Sequence, residues 1–306
     1  MKKIIVTGSE GFIGKNLVVA LEKKNYNVLK VDINSDNPID ILEHGKFNNV
    51  VTNFKPDAVV HLAAAVGRVR CEDDILDTIN KNACMSAIIS HSCSINNVKL
   101  FYTSTSEIYG DFAEETAFEE TPKKLPHNLY GLSKRWGEEV CELYNKDVCI
   151  IRPSMPYGPG APPGRGRRAM DNMMHQAIHN KEIITHIGAE RSWCWIGDLV
   201  NAYVLLIENN EQGAFNIGRD DDYRSMVEIA RRACDLAGKD YSLIKMEKAP
   251  GNQTVVKRLS TNKLRKLGWK PTVDLDEGEK ILFDWIKTFD KNCNQYENIS
   301  ATSLLQ

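Results

Sequence analysis

The 306-residue sequence lacks a charge bias: 39 lysines and arginines face 41 aspartates and glutamates, a formal net charge of −2. With no overall field to draw in polyanions, the balance argues against a general nucleic-acid or membrane-surface binder. No apolar run approaches the ~18 residues of a membrane span. The basic start Met1-Lys2-Lys3 leads only into Ile4-Ile5-Val6, far short of a secretory h-region. Internal repeats are absent. No C-x-x-C pair occurs among the cysteines at 71, 84, 93, 141, 149, 194, 234 and 293, so neither a zinc ribbon nor a thioredoxin-type site is suggested. These thiols read as reduced and mostly buried, and the expected location is the cytoplasm. His175 and His179 stand at i and i+4 without an H-E-x-x-H glutamate or a third ligand, so no metal is expected.

What is present fits a globular chain with a sizeable core. It is 42% hydrophobic and 26% charged, values that exclude disorder and a disulfide scaffold. At roughly 150 residues per domain, the length allows two domains. The β-branched run at 2–7 stops at Gly8, as a buried parallel strand would. The stretch 12–24 then places Ile13, Leu17, Ala20 and Leu21 on one helical face. Further β-type runs lie at 27–31, 57–62, 98–103 and 148–152, with helical stretches at 73–94 and 129–145 between them. Strands alternating with helices predict a doubly wound α/β fold, a parallel sheet covered on both faces. After Pro153 the texture changes. Five prolines and four glycines crowd 153–166 and mark a long connection, with Arg165, Arg167 and Arg168 beside them. The expected division is a first unit at 1–160 and a smaller α/β unit at 161–306. The chain is expected to return to the first unit near 192–218, and to fray from about 292. Trp193 and Trp195 read as core aromatics.

Gly8-Ser9-Glu10-Gly11-Phe12-Ile13-Gly14 sets G-x-x-G-x-x-G between the first strand and the first helix. Such glycines serve a tight turn, close backbone approach to a pyrophosphate, and close helix–strand packing. The helix N-terminus then turns its free N–H groups on the phosphates. Asp32 closes the second strand 18 residues after Gly14. A carboxylate there accepts both adenosine ribose hydroxyls and repels a 2′-phosphate. Ile33 and Asn34 offer no cation, so the expected cofactor is NAD rather than NADP. Farther on, Tyr130-Gly131-Leu132-Ser133-Lys134 is Y-x-x-x-K. On a helix, i and i+4 share a face. An ammonium beside a phenol lowers its pKa toward that of a usable base. Upstream, the hydroxyl-rich block 102–110 follows a strand, where its side chains can bond the same substrate oxygen as the tyrosine.

Ordered along one chain, these marks resemble a known family. They are Thr7-Gly8-x-x-Gly11-x-x-Gly14, Asp32, His61-Leu62-Ala63-Ala64, Asn82, the block 105–110 and Tyr130-x-x-x-Lys134. Arg152-Pro153 with Tyr157-Gly158-Pro159, Arg191 with Asp198, and Leu267-Gly268-Trp269-x-Pro271 complete the set. Over about residues 2–289 the chain resembles the extended short-chain dehydrogenases/reductases of the NAD-dependent epimerase/dehydratase family, which act on nucleotide sugars. The resemblance implies a Rossmann-type sheet, a C-terminal substrate domain, NAD, a nucleotide-diphosphate sugar and a homodimer. It implies Thr105 as the active-site hydroxyl, Tyr130 as base and Lys134 as its partner, with Glu107 a further catalytic group. It implies cofactor contacts from Gly8, Gly11, Phe12, Ile13, Gly14 and Asp32, and from Asp40 and Ile41 around the adenine. Leu62, Ala63, Ala64, Asn82, Thr103, Tyr130, Lys134 and Pro153 would line the rest of the dinucleotide. Thr105, Ser106, Glu107, Tyr130, Arg191 and Arg258 fall at substrate positions. The spacing from Arg258 to Gly268 is a residue or so short, so Lys257 competes for that diphosphate role.

The family's shared step removes hydride from sugar C4 while Tyr130 takes the hydroxyl proton. Sugar 4,6-dehydratases resemble T-D-E at the active-site block, whereas Thr105-Ser106-Glu107 lacks the acid. Ser-Glu is similar to uronate decarboxylases, which also use an arginine at the position of Arg191. Their P-R-x-x-Y arginine is His127 here. The Tyr130–Lys134 motif is similar to general epimerases. An epimerase is therefore the leading expectation, then a nucleotide-uronate decarboxylase, then a 4,6-dehydratase or 4-reductase, then a non-catalytic NAD-binding protein. Glu107 is either a base at C5 or C3 or a structural carboxylate. Arg165, Arg167 and Arg168 either grip a diphosphate or form a solvated loop face.

Overall fold

The computed structural model describes residues 2–110, 116–119, 126–161 and 168–300, with side chains as far as Phe289. The strands are β1 (Lys3–Thr7), β2 (Asn27–Val31), β3 (Ala58–His61), β4 (Lys99–Thr103), β5 (Cys149–Pro153), β6 (Pro156–Tyr157), β7 (Ile183–His186), β8 (Glu190–Ser192), β9 (Cys194–Trp195), β10 (Gly213–Ile217), β11 (Tyr223–Ser225), β12 (Ile244–Glu247) and β13 (Val256–Lys257). The helices are α1 (Phe12–Lys23), α2 (Lys46–Phe54), α3 (Arg68–Asp73), α4 (Ile75–Thr78), α5 (Met85–Ile95), α6 (Leu129–Tyr144), α7 (Ala169–Ile178), α8 (Ile196–Glu208), α9 (Met226–Ala237), α10 (Asn262–Lys266) and α11 (Leu275–Ser300).

Six strands form one sheet in the order β10-β5-β4-β3-β1-β2, every pair parallel. Burial on both faces explains their continuous apolar runs. Ile4 and Val6 face a core shared with Leu17 and Leu21 of α1 and with Leu199 of α8. Ile5 faces the opposite core, with Phe47 of α2 and Ile89 of α5. Chain order reverses at β1, which has β2 on one side and β3 on the other. At such a switch point the loops leaving the strand ends part and open a crevice.

The stretch 73–94, expected as one helix, is divided. Asp74 ends α3 and caps α4, accepting from the Asp77 N–H at 3.0 Å. A π-turn over Ile79–Cys84 then separates α4 from α5. It holds Asn82 buried, accepting from the Ala65 N–H (2.7 Å) and donating to the Ala65 carbonyl and Ser133 Oγ (both 3.0 Å). Widened turns of this kind recur beside functional sites.

Later segments build a second core, where α7, α9 and α11 enclose Met170, Met174, Ile229, Ala233, Leu282 and Ile286. Beside it lie the pair β7/β12 and the small sheet β11-β8-β13. Trp193 is buried there, edge-on to Tyr157. Asp198, at the start of α8, accepts from the Thr272 N–H (2.9 Å) and hydroxyl (2.6 Å). Its carbonyl accepts the Trp269 indole N–H at 3.0 Å, so this one residue holds the Gly268-Trp269 segment against the main sheet. The helical backbone of α11 continues to Ser300. Among the described residues no helix is long and apolar enough to cross a membrane. None of their His, Cys, Asp and Glu side chains group in threes as a metal site.

Candidate active site

Glycines build the loop after β1. Gly8 has a φ of +69°, and a Cβ on it would lie 2.6 Å from the Ala63 nitrogen. A Cβ on Gly14 would lie 2.1 Å from the Gly8 carbonyl oxygen, so α1 abuts the turn. Gly11 precedes α1 and offers no side-chain cap, which leaves the Phe12 and Ile13 N–H groups without an intrahelical acceptor. Thr7 Oγ1 accepts from the Leu62 and Ala63 N–H groups (3.2 and 3.3 Å) and pairs with His61 Nδ1 at 2.8 Å. The Leu62-Ala63-Ala64 loop is thereby fixed beside the glycine turn. Ser9 Oγ is buried in that turn with no partner. Asp32 accepts from the Glu10 N–H (3.0 Å) and the Asn34 N–H (2.9 Å), which sets its carboxylate on the rim of the turn. A glycine cradle, an uncapped helix N-terminus and a carboxylate at the end of β2 fit a dinucleotide with a free ribose.

The other expected cofactor residues differ in their surroundings. Asp40 is exposed and accepts from the Leu42 N–H at 2.9 Å, while Ile41 is buried in the core beneath α2. Thr103 ends β4, with its hydroxyl bonded to that of Tyr203 at 2.8 Å. Pro153 ends β5. For Thr103 and Asn82, side-chain hydrogen bonds go to protein partners, which makes them supports of the crevice wall.

Beyond β4, a 3-10 turn over Ser106–Tyr109 is capped by Thr105, whose Oγ1 accepts from the Glu107 N–H at 3.3 Å. Asn128 caps α6, accepting from the Gly131 N–H at 2.9 Å. Tyr130 lies in the first turn of α6 and Lys134 one turn on. Gly131 lets α6 close on the 3-10 turn, since a Cβ there would come 2.8 Å from Pro126 Cβ and 3.1 Å from Glu107 Cβ. Thr105 lies near the Tyr130 hydroxyl and favours its charged form. Lys134 is buried, its Nζ 4.3 Å from the centre of the Tyr102 ring. Tyr102 fits beneath α6 because residue 137 is glycine; a Cβ there would collide with its hydroxyl at 2.0 Å.

The expected lowering of the Tyr130 pKa is not found. Burial raises the phenol, and Thr105 opposes that only in part. Burial also brings Lys134 down to about 8. For both groups the loss of water contact is the dominant influence.

Glu107 is the best-bonded group in the site. Its carboxylate is paired with Lys257 Nζ and accepts from Thr254 Oγ1 at 2.7 Å. Burial alone would raise its pKa, but the Lys257 charge, the two hydrogen bonds and nearby Arg191 hold it below the usual range. Arg191 donates to the carbonyls of Glu190 (2.8 Å), Thr254 (2.7 Å) and Val255. Asn252 accepts from Asn128 Nδ2 through its carbonyl (3.3 Å) and from Arg68 Nη1 through its side chain (3.0 Å). Residues 252–257 thus clasp the 3-10 turn and the start of α6. The two basic candidates have different partners. Lys257 turns to Glu107, while Arg258 turns away and pairs with both Glu190 oxygens (2.6 and 3.1 Å). Sequence reasoning placed Tyr102 within the block 102–110 but missed Thr254, Asn252 and Asn128; only the last carried a signal, an Asn immediately before a helix. Arg165 and Arg167 lie outside the described residues.

Residues 4–218 match the model of the NAD dependent epimerase/dehydratase family. The chain belongs to this family. NAD is accordingly its cofactor, and the glycine cradle and Asp32 fit it. Among similar proteins, UDP-glucuronic acid decarboxylase 6 of Arabidopsis thaliana is 27% identical over 301 residues, covering 92% of this chain and 87% of the relative. The dTDP-D-glucose 4,6-dehydratase of Homo sapiens is 24% identical over 341 residues, covering 97% and 93%. The fold is similar to that of UDP-glucose 4-epimerase from Thermus thermophilus in complex with NAD, with a TM-score of 0.84 at 23% identity, covering 93% of this chain and 99% of the other. This epimerase/dehydratase family member thus stands among nucleotide-sugar epimerases, dehydratases and decarboxylases.

Proposed function

We propose that this family member is a nucleotide-sugar epimerase that works by transient oxidation at sugar C4. The observation that carries this reading is the set Thr105, Tyr130 and Lys134 beside a Glu107 already bonded to Lys257 and Thr254. NAD+ supplies a cationic ring that accepts hydride. Tyr130 takes the proton of the C4 hydroxyl and later returns it, while the Thr105 hydroxyl holds the same oxygen. Lys134, protonated below about pH 8, stabilises the phenolate by its charge. Re-reduction on the opposite face gives the epimer with no atom lost.

Competing outcomes need groups that are absent or committed. Dehydration needs an acid at the leaving hydroxyl, where Ser106 stands. Removal of a C5 proton needs a basic carboxylate, and Glu107 is held as a weak base by an ammonium. Uronate decarboxylation is the second reading, favoured by Arg191 beside the Ser106-Glu107 doublet. Three backbone carbonyls draw on the Arg191 guanidinium, and His127 replaces the arginine of the decarboxylase pattern. Lys257, rather than Arg258, is the cation assigned to the substrate's side of the site. A homodimer is part of this proposal, supported by Leu132, Trp136 and Leu143, an exposed apolar strip along one face of α6. Light scattering tests it.

Function is tested by incubating the protein with NAD+ and UDP-, GDP-, dTDP- and CDP-sugars, uronic acids included, and weighing the products. An isomer of unchanged mass is expected. Loss of CO2 would give the site to decarboxylation, and loss of water to dehydration.

A further inference from the structure

The reaction above does not use the basic residues that follow the Pro/Gly-rich connection. Arg168, immediately before α7, has a defined place among them. Its guanidinium carbon lies 3.8 Å from the centre of the Phe12 ring. Phe12 is the first residue of α1, the helix whose N-terminus faces the cofactor diphosphate. The connection itself approaches that turn: a Cβ on Gly160 would come 2.9 Å from Asn16 Nδ2 and 3.7 Å from the Phe12 ring. Arg168 Nη2 donates to the Ala161 carbonyl at 2.8 Å and to the buried carboxylate of Asp171, which anchors one edge of the guanidinium. The Nε atom is buried and has no partner. A fixed guanidinium plane, stacked on the first residue of a phosphate-facing helix, has the charge and the flat donor edge that a diphosphate oxygen accepts.

We propose that Arg168 is a contact to the diphosphate of NAD, adding a charged donor to the uncapped amides of α1. This rests on α1 as the cofactor site and not on which sugar is turned over. The test is calorimetric titration of cofactor-stripped protein with NAD+, ADP, UDP and adenosine, for the wild type, Arg168→Met and Arg168→Lys. The methionine keeps an apolar stem over Phe12; the lysine keeps a charge for Asp171 and decides the matter if the methionine variant fails to fold. Arg168→Met is expected to bind NAD+ and ADP about tenfold more weakly, which is about 1.4 kcal/mol. Arg168→Lys should fall between, and adenosine and UDP should bind as to wild type. Unchanged NAD+ and ADP affinity would overturn the proposal, as would an equal loss for adenosine. A loss confined to UDP would reassign Arg168 to the substrate diphosphate. Wild-type protein that fails to bind NAD+ would overturn the cofactor site along with it.

Discussion

Tyr130→Phe removes a single oxygen and leaves the ring in place. NAD affinity is expected to stay within about twofold of wild type, while turnover falls by at least about 10²-fold. Product formation and a cofactor titration, run together, check both halves; retained turnover would remove Tyr130 from the chemistry. Asp32→Ala loses the ribose acceptor and also releases the Glu10 and Asn34 N–H groups, so NAD should bind about tenfold more weakly or worse. Equal affinity in that variant would contradict the cofactor assignment. The sequence nominates these residues by short spacing: closely spaced glycines, a tyrosine and lysine on one helical face. The contacts of Lys257 and Thr254 with Glu107 were not legible, since they run across 150 and 147 positions, which no local pattern encodes. The Tyr130 pKa was misjudged for a related reason. Spacing shows that a cation is near but not how deeply both groups are buried.

Among the elements, α6 matters most to the site, and Gly131 sets how closely it approaches the 3-10 turn. Gly131→Ala would place its Cβ 2.8 Å from Pro126 and 3.1 Å from Glu107, so either α6 or the turn must move. A stability loss of about 1–3 kcal/mol is expected. Turnover should fall further than stability alone explains, because Tyr130 shifts with the helix; denaturant unfolding and steady-state kinetics together read the two effects. The strands of the main sheet were legible as apolar runs, since burial on both faces leaves little room for polar side chains. The helical stretch 73–94 was legible only in outline. Its apolar pattern does not announce the π-turn at Asn82, which answers to Ala65 in the loop after β3, and the break at Asp74 is a local cap on the Asp77 N–H.

For the whole molecule, the second core carries its own titration. Glu279 of α11 is fully buried, 3.4 Å from Arg232 and 3.7 Å from Arg224. Burial outweighs those cations and raises its carboxyl to about 7. Unfolded, the group titrates near about 4.3. Between those values the folded state holds a proton that the unfolded chain has released, so this group's contribution makes stability fall as pH rises through the window. Glu279→Gln should flatten that slope in unfolding midpoints measured from about pH 4 to about pH 8; parallel slopes would count against the buried acid. Segments after Pro153, where the sequence changes texture, build the second core. The clasp of residues 252–257 over the 3-10 turn has no signal in the sequence, and it is the clasp that holds Glu107 ionised. The most direct measurement is therefore the deuterium content of the epimer formed in D2O from the sugar that the protein turns over. Hydride returning to C4, with Glu107 kept out of proton transfer, is expected to give an isomer with no carbon-bound deuterium. Deuterium at C5 or C3 would contradict this account and make Glu107 a working base.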